Sequence, residues 1–405
     1  MKKKKKQKWI KHRHIAVRNI LNLVLGIYSR WKYGITVEKF REQGKRAYLV
    51  LYNHQTAFDQ FFVGMAFRGA IYYVASEDLF SKGWVSSVIR YLVAPIPIKK
   101  QTTDIGAVMN CIRVAREGGT IAIAPEGNRT YSGKTEYMSS AIAPLAKKLK
   151  LPIAFYHIEG GYGVHPRWSD KIRKGKMRGF VSKVLEPEEY AGMTNEELYA
   201  RIQQELSVDE GNADSRFLSS KKAESLERAM YVCPDCGLTE WESTGNTVTC
   251  KQCGKAVAYG EDKSLTGVNG PFPFQFVTQW YDYQKEFVNK LNVLEYREKP
   301  LYRDHSSLSE VLLYKKKLPM REDAQIALYG DRIVVDEGTE KELVWMFADI
   351  IALSVLGKNK LNIYYGDHLY QFKSHKRFNA LKYVNIYYRY KNITRGDADS
   401  TFLGL

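Results

Sequence analysis

The chain has 405 residues and a formal net charge of +18, with 62 Lys and Arg against 44 Asp and Glu. This length excludes a single small module and accommodates two or three domains that each bury a hydrophobic core. The positive charge predicts an anionic partner, and it is concentrated at the N-terminus, where eleven basic residues precede Glu38, the first acidic one.

Residues 1–35 form a basic segment with an amphipathic pattern. Lysines occupy positions 2–6, and between Ile15 and Trp31 the polar residues cluster on one side of a helix with 3.6 residues per turn. The apolar residues are too often interrupted for a transmembrane span, so we expect a helix in the membrane interface with its lysines on anionic headgroups. A signal peptide is one alternative, although no small-x-small cleavage site is evident. A solvated lysine run before an ordinary packed helix is another.

Residues 36–220 alternate short apolar runs with helical patterns, which predicts an α/β domain with a mostly parallel sheet flanked by helices. One run, Ala47 to Leu51, is a predicted buried strand, and His54 follows it at the carboxyl edge, where open α/β folds place their chemistry. Asp59 can open the next helix and turn back toward one ring nitrogen of His54. The other nitrogen would then accept a proton, so the pair is a candidate general base. Such a pair is also common as a satisfied contact at a strand end.

A second motif follows another strand-like run. Residues 120–124 lead into Pro125-Glu126-Gly127-Asn128-Arg129-Thr130. With the first motif, this sequence resembles the glycerophosphate acyltransferase family, whose best-known members are the PlsC-type 1-acylglycerol-3-phosphate acyltransferases. The first block of that family, Asn-His-x4-Asp, is matched in full from Asn53 to Asp59. The third block, Pro-Glu-Gly-Thr-Arg-Ser, is matched except that Asn128 and Thr130 replace the usual threonine and serine.

Two further blocks complete the resemblance, which covers residues 35–210. The second block of the family, usually an arginine after a short apolar run, looks like Pro97-Ile98-Lys99-Lys100, with Lys99 or Lys100 in the basic role. Lysine keeps the charge but lacks the bidentate fork of arginine. The fourth block, an apolar run around a proline, looks like residues 151–154.

The resemblance implies acyl transfer from acyl-CoA or acyl carrier protein to the hydroxyl of a lysophosphatidate-like acceptor. His54 would remove the hydroxyl proton, and Asp59 would stabilise the imidazolium. Gly127 and Arg129 would hold the acceptor phosphate, while Glu126 would order the loop or contact the acceptor. The other residues implied in substrate binding are Asn53, Lys99, Lys100 and Asn128. Glycerol phosphate, a lysophospholipid or a glycolipid is the alternative acceptor, and a membrane-tethered binding protein without turnover is the alternative function.

Four of the five cysteines form two Cys-x2-Cys-Gly knuckles thirteen residues apart, within residues 230–260. Thiolates at this spacing predict a tetrahedral zinc site in a zinc ribbon, with the ligands Cys233, Cys236, Cys250 and Cys253. A closed four-sulfur site has no open coordination position, so we assign the zinc to folding and not to catalysis. Disulfides are the alternative, and they require an oxidising compartment. The fifth cysteine, Cys111, lies in a helical pattern and is a predicted core residue.

Residues 271–395 begin with a predicted helix over 276–291 and continue with short strand-like runs joined by turns. A second helical pattern, over 376–390, follows. Several strands followed by one helix resemble a pleckstrin-homology (PH) or GRAM-like barrel, a fold that often binds lipid or protein but does not by itself imply either. The polar stretch 209–220 is a predicted linker.

Together these patterns predict a peripheral protein on the cytoplasmic face of a membrane, with anionic lipids, a lysolipid and an acyl donor as partners. Nucleic acid is the alternative anionic partner, since zinc ribbons and basic tails are common in proteins that bind it. The ribbon carries few basic residues and no interleaving of aromatic and basic side chains. Nucleic-acid binding is therefore not expected.

Overall fold

The computed structural model describes residues 8–98, 104–212, 215–312, 315–374, 377–397 and 400–404. These residues form an α/β domain, a small β unit that carries the four clustered cysteines, and a C-terminal β domain with a helix packed against it. The α/β domain has the helices α1 (His12–Tyr33), α2 (Asp59–Ala66), α3 (Trp84–Val93), α4 (Ile105–Arg116), α5 (Ile142–Leu149), α6 (Gly161–Val164), α7 (Pro187–Tyr190) and α8 (Asn195–Leu206). Its strands are β1 (Ile35–Val37), β2 (Leu49–Tyr52), β3 (Ile71–Ser76), β4 (Ile96–Ile98), β5 (Thr120–Ile123), β6 (Ile153–Glu159) and β7 (Met177–Leu185).

The α/β domain is built on a seven-stranded sheet in the order β1-β7-β6-β2-β5-β3-β4. Only the β6–β7 pair is antiparallel, so the predicted mostly parallel sheet is confirmed. The strand β2 lies at the centre, with Leu49 opposite Ile121 of β5 and Ile153 of β6, and all four of its residues are buried. Both sequence motifs therefore follow neighbouring parallel strands, and they emerge at the same edge of the sheet.

The stretch 209–220, predicted to be a linker, instead packs on the α/β domain in its described part. Phe217 is 1% exposed in the same core cluster as Val164. The carboxylate of Glu210 accepts hydrogen bonds from the backbone N–H groups of Gly160 and Tyr162. The polar composition of the segment gave no indication of this packing, because one buried aromatic ring and one buried carboxylate are enough to hold a short segment in place.

The cysteine-bearing unit contains a two-stranded knuckle and a four-stranded antiparallel sheet in the order β10-β11-β12-β13. Its strands are β8 (Val232–Cys233), β9 (Gly237–Leu238), β10 (Trp241–Thr244), β11 (Thr247–Cys250), β12 (Ala256–Tyr259) and β13 (Leu265–Gly267). Helix α9 (Val277–Lys290) follows, and Trp280 on it packs edge-to-face on Trp241 with ring centroids 4.7 Å apart. The unit and this helix therefore share a core.

The C-terminal β domain is a seven-stranded antiparallel sheet in the order β17-β16-β15-β14-β20-β19-β18. Its elements are β14 (Tyr302–Glu310), β15 (Leu318–Leu328), β16 (Arg332–Val335), β17 (Leu343–Met346), β18 (Ile350–Leu356), β19 (Lys360–Tyr365), β20 (His368–Ser374) and helix α10 (Ala380–Thr394). The hydroxyl of Tyr387 on α10 donates to the carbonyl of Ile350 on β18 at 2.7 Å. One hydrophobic cluster runs through the cysteine-bearing unit, α9 and this domain, and it also includes Tyr131 and Trp168 of the α/β domain.

Candidate active site

The two motifs meet at the carboxyl edge of β2 and β5. The backbone N–H of His54, just beyond β2, donates to the Oε1 atom of Glu126, just beyond β5, at 2.7 Å. This bond joins residues 72 positions apart in the chain. The order of the strands thus brings the predicted base and the predicted acceptor loop into one site.

His54 and Asp59 form the predicted pair, with Nδ1 of the imidazole 2.8 Å from Oδ2 of the carboxylate. Asp59 is fully buried at the start of α2, and it also accepts from the N–H groups of Gln55 and Thr56 and from the Thr56 hydroxyl. A carboxylate surrounded by donors acts as an acceptor, so Nδ1 carries the proton and Nε2 is the basic nitrogen. The His54 side chain is 23% exposed, which leaves the ring accessible to a substrate.

Glu126 is a buried carboxyl group that accepts the hydrogen bond of the His54 amide. Burial raises the pKa of Glu126 to about 8, and the nearby Asp59 carboxylate raises it as well, whereas the hydrogen bond from the His54 amide lowers it. A group with this pKa is mainly protonated at neutral pH. Glu126 therefore orders His54 through its backbone and adds little negative charge beside it.

We expect Glu126→Gln to stabilise the protein more at pH 8 than at pH 5. The folded pKa of about 8 exceeds the ordinary value of 4.5, so the wild-type carboxyl loses stability as the pH rises through this window. Glutamine keeps the acceptor for the His54 amide and has no proton to lose. Urea unfolding should show a gain that grows by about 1–3 kcal/mol between pH 5 and pH 8. The exposed Glu196→Gln is the control, and an equal gain at both pH values for Glu126→Gln would contradict the assignment.

Arg129 is the positive group of the site. It is only 8% exposed, and its Nη1 atom has no hydrogen-bond partner among the described residues. Burial and the neighbouring Arg167 lower the pKa of Arg129 to about 10, while Asp59 raises it, so the guanidinium is charged at neutral pH. A buried cation with an unsatisfied donor is suited to an anionic ligand, because that ligand would complete its hydrogen bonds.

The other predicted site residues take different places. Asn53 is fully buried, and its amide donates to the carbonyl of Ile158 at 2.9 Å and accepts from the N–H of Ile158 at 2.8 Å. It therefore holds β2 to β6 beneath the site. Gly127 has φ +68°, a conformation that favours glycine, and the Oδ1 atom of Asn128 accepts from Arg167 at 3.3 Å. Lys99 and Lys100 lie outside the described residues.

The motifs do not reveal Tyr33, His165 or Arg167, which lie close enough to Arg129 to interact with its charge. The Nδ1 atom of His165 lies 3.5 Å from the Tyr33 hydroxyl, and its Nε2 atom is buried without a partner among the described residues. Burial, followed by the charge of Arg129, lowers the pKa of His165 to about 3, so it stays neutral. Arg167 contacts the loop directly. No local pattern marks these residues, since they reach the site only through the fold.

The four predicted zinc ligands converge in the cysteine-bearing unit. Their sulfur atoms all lie within 4.8 Å of one another, with 3.7 Å between Cys233 and Cys253 and 3.6 Å between Cys236 and Cys250. Zinc–sulfur bonds of about 2.3 Å place the sulfurs of a tetrahedron about 3.8 Å apart, whereas a disulfide needs about 2.05 Å. The geometry fits a four-sulfur metal site better than disulfides. Cys111 is buried in α4, as expected of a core residue.

Comparisons with known proteins show a similarity to acyltransferases over part of the chain. Residues 34–156 match the family model described as "Acyltransferase". A 1-acyl-sn-glycerol-3-phosphate acyltransferase of Bacillus subtilis (strain 168) is 23% identical over 138 residues, which are 34% of this chain and 65% of that protein. The chain thus spans just under two thirds of the length of this curated relative.

A solved structure is also similar to part of the chain. The crystal structure of the 1-acyl-sn-glycerophosphate (LPA) acyltransferase PlsC from Thermotoga maritima is 22% identical, with a TM-score of 0.40, and the match covers 48% of this chain and 80% of that one. The segment that matches the family model contains both motifs of the site. The segment 34–156 is therefore similar to the acyltransferase family, and this similarity includes the His54–Asp59 pair and the loop that carries Glu126 and Arg129.

Proposed function

We propose that the protein is an O-acyltransferase that moves a fatty acyl group from acyl-CoA or acyl carrier protein to the hydroxyl of a lysophosphatidate-like acceptor. The observation that carries this proposal is the His54–Asp59 hydrogen bond of 2.8 Å at the same sheet edge as the buried cation Arg129. A general base and an anion-binding donor in one site suit the acylation of a phosphate-bearing alcohol. The similarity of residues 34–156 to acyltransferases supports the same reaction.

The proposed reaction needs two proton transfers at His54, one onto the imidazole and one from it. The Nε2 atom takes the proton of the acceptor hydroxyl as the alcohol oxygen attacks the thioester carbonyl. The tetrahedral intermediate then expels the thiolate, which accepts the proton from the imidazolium, so the products are an ester and a free thiol. Asp59 stabilises the imidazolium between these steps, and general-base help of this kind contributes about 10²- to 10⁴-fold.

Arg129 would bind the acceptor phosphate. Its guanidinium can donate two parallel hydrogen bonds to phosphate oxygens, and the buried setting strengthens them. The neutral form of Glu126 suits this role, because a second carboxylate next to the phosphate would repel it. Gly127 adopts a left-handed backbone conformation, which allows the chain to turn within this loop.

The test is acyl transfer by the purified protein from a labelled acyl thioester. The acceptor panel contains lysophosphatidate, glycerol 3-phosphate, a lysophospholipid and a glycolipid. We expect transfer to lysophosphatidate and weak or no transfer to an acceptor without a phosphate monoester. Transfer to the glycolipid alone would contradict the assigned acceptor, and no transfer to any acceptor would contradict the enzyme.

We also propose that α1 rests on a membrane surface. The polar side chains of Arg18 and Asn22 face the protein, where both donate to the carbonyl of Gly64 on α2. The exposed side of α1 is apolar instead and carries Ile20, Leu23, Val24, Ile27 and Trp31. Helices on a water-exposed surface have the opposite polarity, and a continuous apolar face of this kind marks a site of protein or membrane contact.

Helix α3 extends this apolar face. The Arg13 side chain on α1 donates to the carbonyl of Tyr91 on α3 at 2.8 Å, and α3 exposes Trp84, Val88 and Tyr91. No helix in the described ranges is long and apolar enough to cross a membrane. The C-terminal end of α1 reaches the site, since Tyr33 packs against Phe58 with ring centroids 5.1 Å apart. A lysolipid in the bilayer surface would thus lie close to His54. The expected cytoplasmic side of the membrane stays a prediction, and the lysine run at 2–6 lies outside the described residues.

We expect the double variant Ile27→Gln and Trp31→Gln to weaken binding to vesicles of phosphatidylcholine and phosphatidylserine by at least about 100-fold, since each side chain contributes about 1.5–3 kcal/mol when it is buried. Cosedimentation measures this change. Val268→Gln with Val344→Gln, which alters two exposed apolar residues of the cysteine-bearing unit and the C-terminal β domain, is the matched control. Equal weakening by the two double variants would argue against a membrane role of α1.

The remaining units are proposed as a zinc ribbon and a PH-like domain. The sulfur positions support zinc, because their spacing fits a tetrahedral site. The strand order, in which the first strand of the C-terminal domain pairs with both the second and the last, supports a PH-like barrel, as does the helix after the last strand.

A further inference from the structure

We propose that Arg167 is a positioning residue through which the turn between β18 and β19 holds the loop 126–131 for acceptor binding. The C-terminal β domain would then support the geometry of the site and would not be functionally independent of it. This inference rests on the proposed function of the loop as the acceptor site. The turn in question comprises residues 357–359.

The guanidinium of Arg167 donates two hydrogen bonds to the acceptor loop. It is 2% exposed, its Nη1 donates to the carbonyl of Arg129 at 2.9 Å, and its Nη2 donates to the side-chain oxygen of Asn128 at 3.3 Å. The guanidinium also stacks on the ring of Tyr131, 4.2 Å from its centroid. Three residues of the loop, Asn128, Arg129 and Tyr131, thus contact one side chain.

The other donors of Arg167 reach the C-terminal domain. Its Nε donates to the carbonyl of Gly357 at 2.8 Å, and Nη2 also donates to the carbonyl of Val355 at 3.0 Å. The loop contacts the same turn directly, since the Tyr131 hydroxyl donates to the carbonyl of Lys358 at 3.1 Å. The planar fork of arginine is what permits bonds in both directions, and lysine could not make them all.

This connection bears on Arg129 in particular. Two arginines lie close together here, and the charge of Arg167 lowers the pKa of Arg129. Like charges stay together because the hydrogen bonds of Arg167 to three carbonyl oxygens and one amide oxygen compensate their repulsion. With its carbonyl fixed by Arg167 and its Nη1 left without a partner in the described structure, Arg129 is held ready for an anion and is not drawn into a protein ion pair.

A small cavity of about 30 Å³ lies where the loop meets the C-terminal half of the chain. Glu126, Asn128 and Arg129 line it from the loop, and Tyr281 of α9, Leu381 of α10 and Gly404 line it from the C-terminal half. The C-terminal half therefore forms part of the wall of this cavity next to the loop. A change in the position of the C-terminal domain would therefore displace residues that the proposed reaction uses.

The test compares Arg167→Ala and Arg167→Lys with a matched control, Arg173→Ala. Arg173 is also a buried arginine at a domain junction, where it donates to the carbonyl of Lys222 and to the Tyr259 hydroxyl, but it has no hydrogen bond to the loop in the described structure. Tyr131→Phe is the milder variant, because it removes only the hydroxyl bonded to the turn. Each protein is measured by acyl-transfer kinetics and by hydrogen exchange of the peptide that covers residues 126–131.

We expect both Arg167 variants to raise the KM for the acceptor about tenfold or more, with the KM for the thioester within about twofold. Exchange in the loop should be at least about tenfold faster in them, with a smaller increase in Tyr131→Phe, and unchanged in Arg173→Ala. Equal effects of Arg173→Ala on KM and exchange would overturn the proposal, because they would show only a general loss of packing. Should Arg167→Ala fail to fold, unchanged loop exchange in Tyr131→Phe would overturn it as well.

The exchange measurement separates this inference from the proposed function. If the wild type transfers no acyl group but the loop still exchanges faster in the Arg167 variants, the coupling stands and the reaction is wrong. If transfer stands while acceptor KM and loop exchange are unchanged, the coupling is wrong.

Discussion

His54→Ala is expected to lower acyl transfer about 10³-fold while the fold and metal content persist. In the proposed reaction the imidazole is the base that takes the hydroxyl proton, and help of this kind contributes about 10²- to 10⁴-fold. The side chain is partly exposed at the site, so its removal leaves no large buried cavity. The loss should appear in kcat with both substrates saturating, because proton removal belongs to the transition state and not to the bound ground state.

The matched control for this experiment is His157→Gln. His157 lies on the neighbouring strand β6, and its Nε2 atom bonds the carbonyl of Glu205 at 2.6 Å, away from the proposed chemistry. Its activity should stay within about twofold of wild type, as for substitutions outside the reacting groups. Retention of more than about a tenth of the activity in His54→Ala would contradict the general-base role.

Metal removal is expected to unfold the cysteine-bearing unit together with the core around it. Structural zinc sites contribute about 10–16 kcal/mol of apparent binding free energy in zinc-finger peptides, which is comparable to the whole stability of a domain. Cys233 and Cys250 are 0% and 1% exposed and belong to the cluster that continues into α9 and the C-terminal β domain. Loss of the ion would therefore disturb much more than a surface loop.

The measurement is metal analysis and thermal unfolding before and after treatment with a chelator. We expect one zinc per chain, an unfolding transition lowered by at least about 10 °C after its removal, and the same loss in Cys250→Ser. Cys111→Ala is the control, since Cys111 lies in α4 away from the cluster and its loss should leave the metal content unchanged. A chain that carries no metal and unfolds at the same temperature in Cys250→Ser would refute the zinc site.

The zinc experiment also bears on the coupling through Arg167. Packing contacts connect the cysteines to the acceptor loop without a break, because Tyr131 and Trp168 belong to the same hydrophobic cluster as Cys233. We therefore expect chelation to impair acceptor binding as well as stability. Four sulfur ligands would leave no open coordination position on a zinc ion, so this effect would reach the site through packing and not through metal chemistry.

The parts of the site that the sequence determined by itself are local. The bond between His54 and Asp59 spans five positions, and the turn that makes it is formed by Gln55 and Thr56, whose N–H groups bond the same carboxylate. Each pair of cysteines also lies within a single tight knuckle. A short segment of fixed composition can form such contacts with few alternatives, so a motif is sufficient to predict them. The central strands were predictable for a similar reason, since buried parallel strands are continuous apolar runs.

Strands with one exposed side were harder to predict. The long strands β7 and β14 alternate buried with exposed residues and carry charged side chains such as Arg178 and Asp304, so neither contains an apolar run. Their place in the sheets depends on partners far away in the chain. The same holds for the segment 209–220, which has a polar composition but is anchored by Phe217.

The tertiary structure alone decided which faces and which distant residues meet. Strand order placed Glu126 on His54, paired Asn53 with Ile158 across 105 positions, and brought Arg167 between the loop and a turn 190 positions further along the chain. The amphipathic pattern of α1 predicted a helix with two faces, but only its packing on α2 showed that the polar face is turned inward and the apolar face outward. A sequence specifies the polarity of a face, whereas the surface against which that face packs is set by contacts between segments that have no local signal in common.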